Sequence, residues 1–209
     1  MLTDAYKNIA LFYDFLFERG LRRAWLLGIG MWSPKKGMRV LDIGCGTGSQ
    51  LLMYLNHGCT VSGVDQSPSM IGVARKKTGN AARLDVLEMD TLPYPYGSFD
   101  LVLLSMLMHE VSEAMQIKLL AEARRVMTNA GKILVLDYHP KSTQSFRGWL
   151  ERLITILIER MAGPENYNNY KKYIECGGMP ALIKHHRLKI EKELVFDGGN
   201  LGLFLLANE

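Results

Sequence analysis

Val40-Leu41-Asp42-Ile43-Gly44-Cys45-Gly46-Thr47-Gly48 places a carboxylate and three alternating glycines at the end of an apolar, β-rich run. Glycine lets the backbone turn sharply and lets a ligand approach where a Cβ would collide. In an open parallel sheet, ligands sit beyond the carboxyl ends of the strands, where such a turn lies. Asp42, just before the loop, disfavours a pyrophosphate and suits a ligand that carries an ammonium group. The dinucleotide pattern G-x-G-x-x-G would need its third small residue at Ser49, whereas the third glycine here is Gly48. About twenty residues past the loop, Asp65 ends a second apolar run, where a carboxylate can accept hydrogen bonds from both hydroxyls of a ribose. Taken alone, that carboxylate would fit NAD as well.

The elements that must hold these residues alternate regularly. Strand-like runs at 38–44, 59–65 and 82–90 are separated by helical stretches at 49–58 and from Ser67 onward. Ser67 is the expected N-cap, Pro68 the first helical residue, and Lys76 and Lys77 fall in the last turn. A fourth strand begins within 98–108. Ser112 then caps a helix with Met115, Leu119, Ala123 and Val126 on one face, and Asn129-Ala130-Gly131 turns into a fifth strand over 132–138. Such alternation predicts βαβ units and a mostly parallel sheet. After helices near 144–162 and 167–185, strands at 188–196 and 201–207 are joined by Asp197-Gly198-Gly199-Asn200, which predicts a hairpin.

The fold class expected is therefore α/β, a doubly wound, seven-stranded, mostly parallel sheet with a C-terminal antiparallel hairpin. The expected layout is one domain over 1–209. It comprises a helical cap (1–30), a binding core (31–138), a helical lid or acceptor region (139–186) and the hairpin (187–209). In the cap, Ile9, Phe12, Tyr13, Leu16, Phe17, Leu21 and Trp25 recur at helical spacing between Asp4 and Gly28.

Asp42-Ile43-Gly44-Cys45-Gly46-Thr47-Gly48 after a strand resembles motif I of the class I S-adenosylmethionine (SAM)-dependent methyltransferases, whose Rossmann-like fold has this seven-stranded order. Phe99–Ser105 resembles the family's motif IV, and Arg124-Arg125-Val126-Met127 with Ala130–Val135 resembles its approach to strand five. SAM carries an ammonium and a sulfonium but no phosphate, in keeping with Asp42. The resemblance implies a cofactor site of Tyr13, Asp42, Gly44, Cys45, Gly46, Gly48, Asp65, Gln66, Met70, Asp90, Thr91, Leu92 and Ser105. Within it Asp90 would meet the adenine amino group, with Gln66, Met70 and Leu92 near the ring. S-adenosylhomocysteine would be the product, and no metal is implied.

Ser105-Met106-Leu107-Met108-His109-Glu110 lacks the Asp/Asn-Pro-Pro-Tyr type of motif found in base-modifying members. It is similar to the small-molecule branch, which includes ubiquinone/menaquinone C-methyltransferases and bacterial phosphatidylethanolamine N-methyltransferases. The acceptor expected is small or lipid-like, a quinone-type ring carbon or an amine or hydroxyl, methylated by in-line displacement. His109, just past strand four, is the leading candidate for a base, with a structural histidine as the alternative reading. Tyr138 and His139 follow it, while Asp137 reads as orienting an acceptor or as a cap of the loop. Rival readings are a catalytically silent SAM-binding regulator and an NAD-dependent oxidoreductase.

Net charge is +4, with 25 basic and 21 acidic residues interspersed, unlike the clustered stripe of a nucleic-acid binder. Cys45, Cys59 and Cys176 form no C-x-x-C pair, which suits a reducing cytoplasm. The amino terminus lacks the basic-then-apolar pattern of a signal peptide. No run reaches the roughly 18 apolar residues of a membrane span, so a soluble protein is expected. The stretch from Phe146 to Ile158 has helical apolar spacing and reads as a lid, a helix touching lipid, or one packed on the domain. Tyr167, Tyr170 and Tyr173 line one helical side, for core packing or acceptor stacking. Besides the acceptor, peripheral membrane contact and a homodimer are left open, since the sequence specifies no oligomeric state.

Overall fold

Val40, Leu41 and Ile43 are wholly shielded from solvent, so the run leading into the glycine loop is an interior strand. Near-continuous apolar sequence is what a parallel strand covered on both faces requires. The computed structural model describes residues 19–87, 91–140, 146–184, 186 and 188–209. In chain order they form α1 (Arg19–Met31), β1 (Arg39–Ile43), α2 (Ser49–Asn56), β2 (Thr60–Asp65), α3 (Pro68–Thr78), β3 (Ala82–Val86) and β4 (Phe99–Ser105). There follow α4 (Glu113–Val126), β5 (Met127–Tyr138), α5 (Phe146–Ala162), α6 (Pro164–Glu175), α7 (Gly178–Ile183), β6 (Leu188–Phe196) and β7 (Leu201–Asn208). The seven strands form one sheet in the order β3-β2-β1-β4-β5-β7-β6. This is the expected fold class.

Two compact units divide the chain, Met1–Leu103 with Arg125–Lys132, and Leu104–Arg124 with Ile133–Glu209. In the first, β1 pairs in parallel with β2, and β2 with β3. Leu51 and Tyr54 of α2 and Ile71 and Ala74 of α3 are buried with the strands. Gly63 in the middle of β2 makes that packing possible: a Cβ there would lie 2.6 Å from Leu51 Cδ1 and 2.8 Å from Cys45 Sγ. Ser67 caps α3 as expected, its Oγ accepting from Met70 N at 3.2 Å, with Pro68 opening the helix.

In the second unit, residues 133–138 of β5 pair antiparallel with β7, and β7 pairs antiparallel with β6. β7 is buried from Gly202 to Ala207, whereas β6 exposes Lys189, Glu191, Lys192 and Glu193. Charged side chains on that outer strand discourage pairing with a foreign edge. Leu119 and Ala123 of α4 are buried, and Met115 on the same face is half-buried.

Two boundaries differ from the sequence reading. Asn129-Ala130-Gly131 belongs to β5, which begins at Met127. Gly131 is buried there, and a Cβ on it would lie 3.0 Å from Asp100 O, so its role is close approach and not a turn. The helix expected over 167–185 is two, α6 and α7, because Gly177 adopts φ 94° and Gly178 φ 58°, outside the helical range. The Asp4–Gly28 cap can be followed only from Arg19, where α1 begins; its earlier part lies outside the described residues.

Candidate active site

The glycine loop folds around its own carboxylates within the first unit. Gly44, Gly46 and Gly48 have φ of 73°, 51° and 75°, a region costly for residues with a Cβ. Gly48 is doubly constrained, since a Cβ on it would stand 2.9 Å from Ala74 Cβ of α3. At Gly46 a Cβ would meet nothing within 4 Å, so the loop is open at its middle. Gly44 N and Cys45 N both donate to Val64 O, at 2.9 and 3.0 Å, which ties the loop to the end of β2. Asp65 then accepts from Gly46 N at 2.8 Å through Oδ2 and from Ser67 N at 2.9 Å through Oδ1. Each carboxylate oxygen can accept more than one hydrogen bond.

Asp42 is 2% exposed and its Oδ1 has no hydrogen-bond partner. Burial, and then the charge of Asp65, pushes its carboxyl well above the usual range. A buried, unpartnered carboxylate oxygen is costly and fits a ligand that brings a cation or donor. Burial likewise raises the Cys45 thiol, with Asp42 and Asp65 adding to it, so its side chain stays a neutral thiol. Met70 and Leu92 are buried and Gln66 and Thr91 exposed. Arg125 fixes the segment around Leu92, donating to Leu92 O at 3.0 Å and to Tyr94 O at 2.7 Å. Tyr13 and Asp90 lie outside the described residues. The loop and its acids thus fit SAM at the ammonium and the ribose.

The second unit holds Ser105, half-buried at the end of β4, and the cluster around His109. Met106 between them has φ 53°, strained for a residue with a side chain, and donates from N to Leu136 O at 2.8 Å. Asp137, fully buried at the end of β5, accepts from Met108 N (2.8 Å), Tyr138 N (2.7 Å) and His109 Nδ1 (2.7 Å). His109 Nε2 faces Glu159 Oε1 of α5 at 3.5 Å. Tyr138 Oη donates to the same oxygen at 3.1 Å. The His109 and Tyr138 rings meet edge-on at 4.6 Å, and Tyr170 stands 5.1 Å from Tyr138.

Burial alone would lower the His109 imidazole. The charge and hydrogen bond of Asp137, then Glu159, outweigh it and hold it well above its ordinary value. Burial, then the Glu159 charge, pushes the Tyr138 phenol up, so it stays a donor. His109 is therefore held in its charged form, with Asp137 on Nδ1 and Glu159 facing Nε2. His139 is engaged elsewhere, its ring stacked on Phe204 and its Nε2 3.0 Å from Glu193. Tyr170 and Tyr173 are buried, while Tyr167 is half-buried beneath the Arg160 guanidinium.

Sequence reasoning did not reach Glu159. It sits on a helix whose apolar residues suggest an inward face, yet its own side is the one that turns in. A signal was present: Thr155 and Glu159 are four apart, on one side of α5, and Asn200 Nδ2 donates to Thr155 Oγ1 at 2.9 Å.

Comparison with known proteins bears on the fold and the family. Residues 40–131 match the family described as "Methyltransferase domain". The chain is 31% identical over 142 residues to a demethylmenaquinone methyltransferase of Tropheryma whipplei, covering 67% of the chain but only 57% of that relative's length. A demethylmenaquinone methyltransferase of Thermus thermophilus is 32% identical over 163 residues, 72% of each chain. The crystal structure of a SAM-dependent methyltransferase from Aquifex aeolicus shares the fold, with a TM-score of 0.61 at 17% identity, over 87% of this chain and 88% of that one. With its glycine loop, its acids at the strand ends and its terminal hairpin, the chain belongs to the class I SAM-dependent methyltransferases.

Proposed function

We propose that this protein is an enzyme that transfers a methyl group from SAM to a small, lipid-like acceptor with an ionisable hydroxyl, such as a reduced quinone ring. Bound SAM supplies a methyl group on a sulfonium, a good leaving group, so in-line displacement leaves the protein alignment, water exclusion and proton handling. Asp42 would pair with the ammonium of the cofactor, the Gly44–Gly48 backbone would cradle its chain, and Asp65 would accept from its ribose. Met70, Leu92 and Asp90 would receive the adenine, with Cys45, Gln66, Thr91, Tyr13 and Ser105 completing the site. Glu159 would receive the acceptor's hydroxyl proton, with the His109 imidazolium, anchored on Asp137, positioning it. The likeness to demethylmenaquinone methyltransferases supports an apolar ring as acceptor. Three cysteines outside any disulfide support a cytoplasmic setting.

The observation that carries the reading is the buried cluster in which Asp137 and Glu159 bracket the His109 ring at 2.7 and 3.5 Å, with Tyr138 Oη on the same Glu159 oxygen at 3.1 Å. Its test is turnover of purified protein with labelled SAM and a series of reduced naphthoquinones and benzoquinones. Labelled quinone and S-adenosylhomocysteine are expected. Glu159→Gln and His109→Gln should each lower kcat about a hundredfold while the Kd for SAM stays within twofold, as loss of proton transfer predicts. Tight SAM binding without labelled product from any acceptor would make the chain a binding protein instead.

A further inference from the structure

Helix α5 is amphipathic in the wrong sense for a helix packed on a core. Its inward side is polar: Thr155 and Glu159 are buried and hydrogen-bonded to Asn200 and Tyr138. Its outward side is apolar along the whole length. Phe146 (79% exposed), Trp149, Leu150, Leu153, Ile154, Leu157 and Met161 (81%) all face solvent. The seat cannot be turned over, because Gly148 rests against the Gly198 backbone and a Cβ there would collide with the Gly198 carbonyl. An apolar strip about 25 Å long, from 17 residues at 1.5 Å each, marks an interaction surface and not ordinary exposure.

We infer that this face of α5 docks on a lipid bilayer. Two observations favour lipid over a protein partner. A protein interface of several hundred Å² carries hydrogen bonds at regular intervals, and the seven outward side chains offer only the Trp149 indole as a donor and the weak Met161 thioether as an acceptor. Among the described side chains of the helix the one exposed charge is basic. Glu159 is buried and Glu151 and Arg152 are half-buried, while Arg160 is exposed beside the strip. From Lys141 to Arg160 the sequence carries four cations against those two acids. An apolar face edged by exposed basic charge suits an anionic membrane surface, and the Phe146–Trp149 ring pair, 5.9 Å apart, suits the headgroup boundary. Docking would hold the enzyme where an apolar acceptor is dissolved, but it does not depend on which acceptor is methylated.

The test is flotation of the full chain with phosphatidylcholine vesicles, with and without phosphatidylglycerol, in the absence of SAM and acceptor. The protein is expected to float with both, more strongly with the anionic lipid, and tryptophan emission should shift to the blue. The double variant Leu153→Glu with Leu157→Glu, at exposed positions, should lower the partition coefficient about tenfold or more and leave SAM affinity unchanged. Failure of the wild type to float with either vesicle overturns the inference, as does undiminished flotation of the double variant. A wild-type dimer that Leu157→Glu converts to a monomer would assign the face to a second copy and overturn it too. Turnover is read separately, so the methyltransferase reading can fail while docking stands, and the reverse.

Discussion

If Asp42 pairs with the cofactor's ammonium as proposed, it is the side chain on which the affinity and the stability of the protein pull in opposite directions. Its carboxyl is raised above its ordinary value, so the folded state binds a proton more tightly than the unfolded chain. Stability from this group is therefore complete below the unfolded value, about 3.9, and falls as pH rises through the folded one. At neutral pH the ligand-free protein carries that strain. Asp42→Asn should raise the melting temperature of the ligand-free protein at pH 7 and weaken SAM binding about tenfold or more, read by thermal denaturation and calorimetry. His109 has the same sign in a different window. Its contribution is complete below about pH 6.5 and is lost as pH rises through its elevated folded value. The melting temperature should thus decline on the alkaline side, and the decline should flatten in His109→Gln. That variant should also lose about 3 kcal/mol, because two buried carboxyls are left without their cation.

Helices and strands set how closely these groups approach. Gly48→Ala would force a Cβ into α3 at a left-handed backbone position, so a loss of about 2 kcal/mol is expected from denaturant unfolding. Gly46→Ala has the space but not the dihedral, and should cost about 1 kcal/mol while weakening SAM binding. The glycine loop could be read in sequence because its requirements are local: positive φ, a strand before it and a helix after it. Glu159 could not, because its partners His109 and Tyr138 lie 50 and 21 residues away, and because hydrophobic periodicity aims α5 the wrong way round. The α6–α7 break was hidden for a simpler reason. Two adjacent glycines and a proline sit within a stretch long enough for one helix, and the helical spacing of its tyrosines does not report dihedral angles.

For the molecule as a whole, binding and folding are linked by mass action. SAM at a hundred times its Kd should stabilise the protein by about 2.7 kcal/mol, with NAD giving no shift at equal concentration. A shift with NAD and none with SAM in a thermal melt would contradict the cofactor assignment. The strand order, legible from the alternation of patterns and the glycine-rich connection, has a consequence for how the sheet assembles. β7 follows β6 in sequence yet lies between it and β5. β6 reaches the sheet only by pairing with β7, and that hairpin is local, a contact made in microseconds, whereas the pairing of β7 with β5 spans about seventy residues and is the slower one. Until that slower, long-range docking occurs, the nascent sheet ends on the apolar edge of Ile133–Tyr138, the stretch where a folding chain is most open to wrong partners.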